Sequence, residues 1–153
     1  MSGSLHAWYS LRDLEALGGR QGELGGELEI ARLPRLAGLL HSNAGSVRAS
    51  LRFRQRGLGR VAATLDLATT VELTCQRCLE PFELPIAERA ELMFVEPDEA
   101  GTSIPEEVEP VELDDGRLLP ARLIEDELIV AIPLVPKHAR VEDCGSLARN
   151  LAT

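Results

Sequence analysis

The chain has 153 residues, of which 44% are hydrophobic and only 3% aromatic, and its formal net charge is −9. This length and composition predict one domain over residues 1–153, with a core mainly of Leu, Val, Ile and Ala. No apolar run approaches the roughly 20 residues of a membrane span, and the first residues lack a signal-peptide pattern. Three cysteines cannot all pair within one chain, so we expect a soluble, cytoplasmic protein.

The net charge is divided unevenly along the chain. Residues 1–60 carry nine Arg against five Asp and Glu, whereas residues 61–153 carry seven Lys and Arg against twenty Asp and Glu. The balances are therefore +4 and −13. Such a division indicates a surface that faces a polyanion, joined to an acidic one.

Short elements are predicted before residue 45. Ser10 is a candidate N-cap for a helix that includes Leu14 and Leu17 and ends at Gly18-Gly19. Apolar residues alternate in the range 22–33, which predicts a strand. Pro34 then begins one or two helical turns.

Three long strands follow. Residues 45–56 and 58–74 predict a hairpin joined around Gly57 and Gly59, and residues 81–95 predict a third strand. Apolar side chains occupy odd positions before residue 75 and even positions after residue 81, which is the period of half-buried strands. Together these strands predict an antiparallel meander.

The segment 96–116 is acidic. Residues 96–115 hold nine acids and three prolines but no Lys or Arg, which predicts a mobile acidic loop. Residues 109–113 are a candidate edge strand. Apolar residues then recur every three to four positions in the range 118–132, which predicts a helix that Pro133 ends.

These elements predict an α+β fold. We expect an antiparallel, β-dominated sheet, open or curled into a partial barrel, with the C-terminal helix packed on one face.

Cys75-Gln76-Arg77-Cys78 lies at the predicted turn between the second and third long strands. Two thiolates in a tight turn provide half of a zinc-knuckle site, whereas a redox pair would favour a helix N-terminus. His138 and Cys144 follow the last helix and could complete a Cys3His site for one structural zinc ion. The alternative is a packed turn without metal, with His138 and Cys144 exposed.

An arginine row is the second candidate site, made of Arg48, Arg52, Arg54, Arg56 and Arg60. Alternate residues of a strand share one face about 6.5–7 Å apart, close to the phosphate spacing of a nucleic-acid strand. The row predicts contact with an RNA backbone, and without aromatic residues it could not stack on bases. A solvated strand face is the alternative.

No enzyme is predicted. The sequence contains no phosphate-binding glycine loop, nucleophile elbow or HExxH motif. Glu125-Asp126-Glu127 points in three directions about 100° apart on a helix, so a polar helix face is favoured over carboxylate catalysis.

Two blocks of the sequence resemble the YceD family, the large ribosomal RNA subunit accumulation proteins. The first is Leu73-Thr74-Cys75-Gln76-Arg77-Cys78-Leu79-Glu80-Pro81-Phe82, and the second runs from Leu123 to His138 and is followed by Cys144. The order, spacing and content of the blocks are similar to the family over residues 60–145.

The resemblance implies a bacterial, non-enzymatic factor that supports synthesis, processing or stability of 23S ribosomal RNA and assembly of the large subunit. The implied partner is 23S ribosomal RNA or its precursor. The alternative is an adaptor that binds a basic large-subunit ribosomal protein through the acidic loop, without touching RNA. A thiol-redox protein is a third, minor alternative.

Overall fold

A computed structural model describes residues 4–57, 60–97 and 104–144. The strands are β1 (Tyr9–Ser10), β2 (Glu23–Glu29), β3 (Ser46–Gln55), β4 (Val61–Thr74), β5 (Pro81–Val95), β6 (Glu109–Glu112) and β7 (Arg117–Leu118). The helices are α1 (Leu11–Gly19), α2 (Pro34–Ala37) and α3 (Pro120–Ala131), with 3-10 turns at Ile30–Arg32 and Val141–Asp143. No helix among these residues is long and apolar enough to cross a membrane.

The main sheet has five strands in the order β2-β3-β4-β5-β6. Its first three pairings are antiparallel, and β5 pairs with β6 in parallel. Strands β1 and β7 form a separate two-stranded sheet. The described strands form an open sheet and no closed barrel, which confirms the predicted α+β class.

The register of β4 and β5 explains the alternating pattern of the sequence. Val61 lies opposite Phe94 and Leu73 lies opposite Phe82, so odd positions of β4 share a face with even positions of β5. That face is buried in one hydrophobic cluster with Leu14 of α1 and Leu128 of α3, both fully buried. The helices therefore cover one side of the sheet. The other side carries the polar positions of β3 and a small second cluster of buried residues around Met93 and Val95.

Most predicted elements are present, with shifted ends. Ser10 caps α1 through a capping box with Asp13, and Pro34 begins α2 as predicted. The strand predicted for residues 22–33 ends at Glu29, where a 3-10 turn takes its place. The predictions missed β1 and β7, because two-residue strands carry no detectable periodicity. Residues 58 and 59 of the predicted hairpin turn lie outside the described residues.

The acidic segment contributes to the sheet. The candidate edge strand is present as β6, and Val108 just before it is buried against Met93 and Val95 of β5. Glu107 forms an ion pair of 2.8 Å with Arg56. Mobility of residues 96–116 stays a prediction. Residues 98–103 lie outside the described residues, while Ile104 and Val108 pack against β5 and β6 pairs with it.

Glu125 joins α3 to α2. Its Oε2 accepts hydrogen bonds from the backbone N–H groups of Arg35 (2.8 Å) and Leu36 (3.1 Å), and its Oε1 lies 2.9 Å from Arg35 Nη2. The side chain is buried against α2, so Glu125 lies on the packed side of α3 rather than on the polar helix face that the sequence favours. Its carboxylate accepts hydrogen bonds from N–H groups that have no partner within a four-residue helix, which is a structural role.

Candidate metal centre and nucleic-acid interface

The Cys75–Cys78 turn joins the ends of β4 and β5. The Cys75 N–H donates to the Glu80 carbonyl at 2.9 Å, and the Leu79 N–H donates to the Cys75 carbonyl at 2.8 Å. Leu79 adopts a φ of 61°, a left-handed conformation that costs energy for a residue with a side chain. These bonds hold the chain in a tight loop with both thiols on its inner side, where Cys75 and Cys78 are buried.

The segment after α3 returns to this turn. The Gln76 N–H donates to the Pro136 carbonyl at 2.8 Å, and the Arg77 guanidinium donates to the His138 carbonyl. The His138 ring packs against Phe82 with 4.9 Å between ring centroids. These contacts bring His138 and Cys144 to Cys75 and Cys78, from which they are separated by 60 or more positions along the chain.

The four side chains can hold a metal ion. Their ligand atoms all lie within 4.8 Å of one another. The separations are 3.8 Å for Cys75 Sγ to Cys144 Sγ, 3.6 Å for Cys78 Sγ to His138 Nδ1 and 3.4 Å for Cys144 Sγ to His138 Nδ1. A tetrahedral zinc ion at its usual bond lengths requires edges of about 3.8 Å between sulfurs and about 3.5 Å between sulfur and nitrogen. The donor set and its spacing therefore fit zinc.

The electrostatics of the cluster favour bound cations. Burial raises the pKa of the Cys75 thiol, but hydrogen bonds from the backbones of Cys78, His138 and Arg77 outweigh it and lower this pKa to about 5. Burial and the neighbouring Cys75 and Cys78 thiols raise the pKa of Cys144 to about 11. A divalent cation among the sulfurs would offset their mutual repulsion and let all three thiols ionise.

The predicted arginine row lies on the side of the sheet opposite the helices. Arg48, Arg52 and Arg54 alternate with the buried Ala49, Leu51 and Phe53 along β3, as the sequence predicts. Arg56 and Arg60 flank the turn that leads into β4. Three arginines thus share the predicted strand face, whereas Arg56, predicted on the same face, lies just beyond the end of β3.

Four of the five arginines lie close to a carboxylate from β2, β4, β5 or the acidic segment. The separations are 3.9 Å for Arg48 to Glu27, 3.5 Å for Arg52 to Asp66, 2.8 Å for Arg54 to Glu91 and 2.8 Å for Arg56 to Glu107. Arg60 contacts the Met93 sulfur at 3.5 Å. Acids and arginines are therefore mixed on this side of the sheet, and the surface is a network of both signs rather than a positive stripe.

Two acids in this network are held ionised. Hydrogen bonding to Arg89 lowers the pKa of Asp66 below its usual range, with Arg52 adding to the effect. Burial raises the pKa of Glu91, but hydrogen bonds from Arg54 and Thr64 outweigh it and lower this pKa overall. The arginines therefore already interact with anions that the fold provides.

Sequence reasoning missed a third constellation, which contains Trp8. The Arg117 and Arg122 guanidinium carbons lie 4.7 Å and 5.6 Å from the centroid of the Trp8 ring. More than 100 residues separate Trp8 from its partners, so no local pattern could reveal the cluster. The presence of a single tryptophan in the chain was the only available signal.

The sequence was also compared with known protein families and proteins. A family model described as "Large ribosomal RNA subunit accumulation protein YceD" matches residues 63–150, which is more than half of the chain. The chain belongs to the YceD family. The resemblance noted in the sequence is thereby confirmed.

One curated relative is a protein of Haemophilus influenzae named "Large ribosomal RNA subunit accumulation protein YceD". It is 37% identical over 81 residues, which are 52% of this chain and 46% of the relative. The matched part of the chain thus spans less than half the length of this YceD relative. No solved structure matches the chain.

The family match divides the candidate sites. Residues 63–150 include all four candidate metal ligands, and they include Arg117 and Arg122. The arginine row and Trp8 lie before residue 63. The candidate metal ligands are therefore part of the YceD-like segment, whereas the arginine row belongs to the N-terminal part of the chain.

Proposed function

We propose that this chain is a cytoplasmic, non-enzymatic assembly factor that supports accumulation of 23S ribosomal RNA and of the large ribosomal subunit. The family match over residues 63–150, with the name of the Haemophilus influenzae relative, carries this proposal. The acidic side chain that invited a catalytic interpretation, Glu125, is occupied by backbone donors of α2. We therefore propose a binding role without catalysis.

Deletion of the gene tests this function. We expect the ratio of 23S to 16S ribosomal RNA to fall and large-subunit precursors to accumulate in sucrose gradients, because the large subunit alone would lack its factor. A plasmid copy of the chain should restore the ratio. A deletion strain with unchanged 23S levels and a normal subunit profile would contradict the proposal.

The proposal includes one structural zinc ion held by Cys75, Cys78, His138 and Cys144. It is supported by ligand separations that match a tetrahedral ion and by the burial of all three thiols. Four protein ligands leave no open position for substrate, so the ion would stabilise the fold rather than catalyse. It would connect the turn between β4 and β5 to the segment after α3.

Cobalt substitution tests the ligand set without any assay of function. Cobalt bound by three thiolates and one imidazole in a tetrahedron should give sulfur-to-metal charge-transfer absorption and strong ligand-field bands. Cys144→Ser should weaken the charge-transfer band, and His138→Ala should shift the ligand-field bands. A cobalt spectrum typical of six oxygen ligands would contradict the proposed centre.

Contact between RNA and the arginine row remains a proposal. Arg48 and Arg52 have the longest separations from their carboxylates, and the Arg48 side chain is 81% exposed. These two are therefore the members most able to exchange a carboxylate for a phosphate. Charge reversal at Arg48 and Arg52 should weaken binding of a 23S fragment. It should also reduce the slope of log affinity against log salt concentration by about one for each arginine, as expected for the loss of one to two phosphate contacts. Unchanged binding and slope would exclude these residues from the interface.

A second candidate function is binding of a basic large-subunit ribosomal protein. It is supported by apolar side chains exposed near the metal centre and at the end of α3, namely Leu79, Val130, Leu134 and Val135. Acidic side chains flank the turn, including Glu80 and Glu83. Leu134→Ser with Val135→Ser should abolish binding to individually purified ribosomal proteins if this surface is used. Deletion of residues 96–107 tests the acidic loop in the same assay, and normal binding by that deletion would exclude the loop.

A further inference from the structure

Trp8 is an aromatic side chain at the surface of a protein that has few aromatics. Its relative exposure is 38%, whereas Phe53 and Phe94 stack on each other in the core and Phe82 packs on His138. Among the described residues, Trp8 is the only aromatic in the exposed class. Part of the indole is therefore accessible to a partner.

The backbone around Trp8 is held in a defined position. Tyr9 and Ser10 pair with Leu118 and Arg117 in the small β1–β7 sheet. The Ala121 N–H donates to the Leu5 carbonyl at 2.8 Å, and the Tyr9 hydroxyl donates to the Ser4 carbonyl at 2.7 Å. The ring is thus fixed next to the first turn of α3 rather than carried on a loose terminus.

Two guanidinium groups flank the ring, and they differ in their ion pairing. No carboxylate among the described residues lies within 4.0 Å of the Arg117 guanidinium, whereas Arg122 lies 3.1 Å from Asp114. Both arginines are exposed. This arrangement contrasts with the arginine row, where the fold pairs Arg48, Arg52, Arg54 and Arg56 with acids.

We propose that Trp8, Arg117 and Arg122 form a binding site for single-stranded RNA, a proposal that rests on the proposed ribosomal RNA function. An unpaired base would stack on the indole or on a guanidinium plane, and the arginine N–H groups would contact phosphates. Sequence-tolerant binders of single strands combine these two features, an aromatic platform and flanking cations. Arginine is suited to both parts because its planar group stacks and also binds phosphate in a bidentate manner.

The single tryptophan makes the site directly observable. The full chain, at low salt, is titrated with a fluorescein-labelled dodecamer of uridine or adenosine while label anisotropy and the intrinsic fluorescence of Trp8 are recorded. Binding should quench Trp8 in step with the rise in anisotropy. Arg117→Ala should raise the Kd about 10-fold, and Trp8→Ala should raise it at least as much.

Matched variants separate the site from general charge. Arg20→Ala removes an exposed arginine at the far end of α1, about 13 Å from the start of that nine-residue helix, and should leave the Kd unchanged. Trp8→Phe keeps an aromatic face and should retain most of the affinity. Circular dichroism and the Tm of each variant establish that a lost affinity is not a lost fold.

Three results would overturn the inference. RNA that binds without quenching Trp8, and with equal affinity to Arg117→Ala, would place the contact elsewhere while leaving the ribosomal RNA function intact. Polyglutamate that quenches Trp8 as strongly as RNA does would show a general anion site or an acidic-peptide site. Failure of both the dodecamer and a 23S transcript to bind would remove the site, and the 23S to 16S ratio in the deletion strain would then decide the function separately.

Discussion

The metal cluster and the arginine row differ in what the fold supplies to them. The ligand atoms of Cys75, Cys78, His138 and Cys144 converge on one point and are spaced for an ion to lie between them. Arg48, Arg52, Arg54 and Arg56 instead meet a carboxylate from a neighbouring strand or from the acidic segment. Both sites were predicted from residue type and spacing, and only the tertiary structure separates them.

The difference indicates where an external ligand is needed. Thiols that are buried and crowded together repel one another once ionised, so they gain most from a cation. Arginines that are already paired with acids gain less from a phosphate, since the carboxylate must first be displaced. Arg117 resembles the metal cluster in this respect, because no described carboxylate lies within 4.0 Å of it.

Loss of the metal centre should have the largest effect. His138→Ala removes one ligand, and we expect it to lower the free energy of unfolding by about 3 kcal/mol or more, since metal binding is coupled to folding. Urea unfolding with and without a chelator measures the effect. His41→Ala, at an exposed histidine outside the cluster, is the matched control and should change little. Equal stability of the two variants would mean that the four residues do not act as a unit.

Glu125 is a buried acid whose partners all come from the fold, namely two backbone N–H groups and the guanidinium of Arg35. Glu125→Ala leaves the N–H groups of Arg35 and Leu36 without their acceptor, and should cost about 2–4 kcal/mol in urea unfolding. Asp126→Asn is the control, because the Asp126 side chain is half exposed and contacts only the guanidinium of Arg35, not the backbone N–H groups of α2. It should cost less than about 1 kcal/mol. A Glu125→Ala protein as stable as Asp126→Asn would contradict the structural role.

Glu127 shows the opposite arrangement, an acid next to other acids. Burial, together with Glu109 on β6, Glu88 on β5 and the adjacent Asp126, raises the pKa of Glu127 to about 7. A raised folded-state pKa means that ionisation opposes folding, so stability falls as pH rises from the unfolded value of about 4.3 through about 7. Glu127→Gln should therefore stabilise the protein by about 1–2 kcal/mol at pH 8 and have no effect near pH 4. A difference in free energy of unfolding between Glu127→Gln and the unaltered chain that is the same at pH 4 and pH 8 would show that Glu127 has an ordinary pKa.

The ion pairs of the arginine row should have the smallest effects. A double-mutant cycle on Arg54 and Glu91 should give a coupling energy of about 0.5–1 kcal/mol that decreases at high salt. The same cycle on Arg48 and Glu27, which lie 3.9 Å apart and are mostly exposed, should give almost none. Zero coupling in the first pair would mean that Arg54 is available to a phosphate after all, which would remove the contrast with the metal cluster.

The sequence predicted the features that depend on residues close together along the chain. Alternating apolar residues predicted β3, β4 and β5, the Ser10 cap predicted the start of α1, and the Cys75–Cys78 spacing predicted a turn. It could not predict that Glu125 meets Arg35 or that Trp8 meets Arg117, because these contacts join residues about 90 or more positions apart. The acids opposite the arginine row were equally hidden, since the cross-strand register that brings Asp66 and Glu91 there is set by tertiary packing.

Native mass spectrometry of the full chain, purified without chelator and combined with elemental analysis, tests the metal centre most directly. We predict a mass increase of one zinc ion per chain, lost on acid treatment together with the native charge-state distribution, and protection of all three cysteines from thiol reagents until the ion is removed. A metal-free chain whose Cys75, Cys78 and Cys144 all react freely while the fold persists would contradict it.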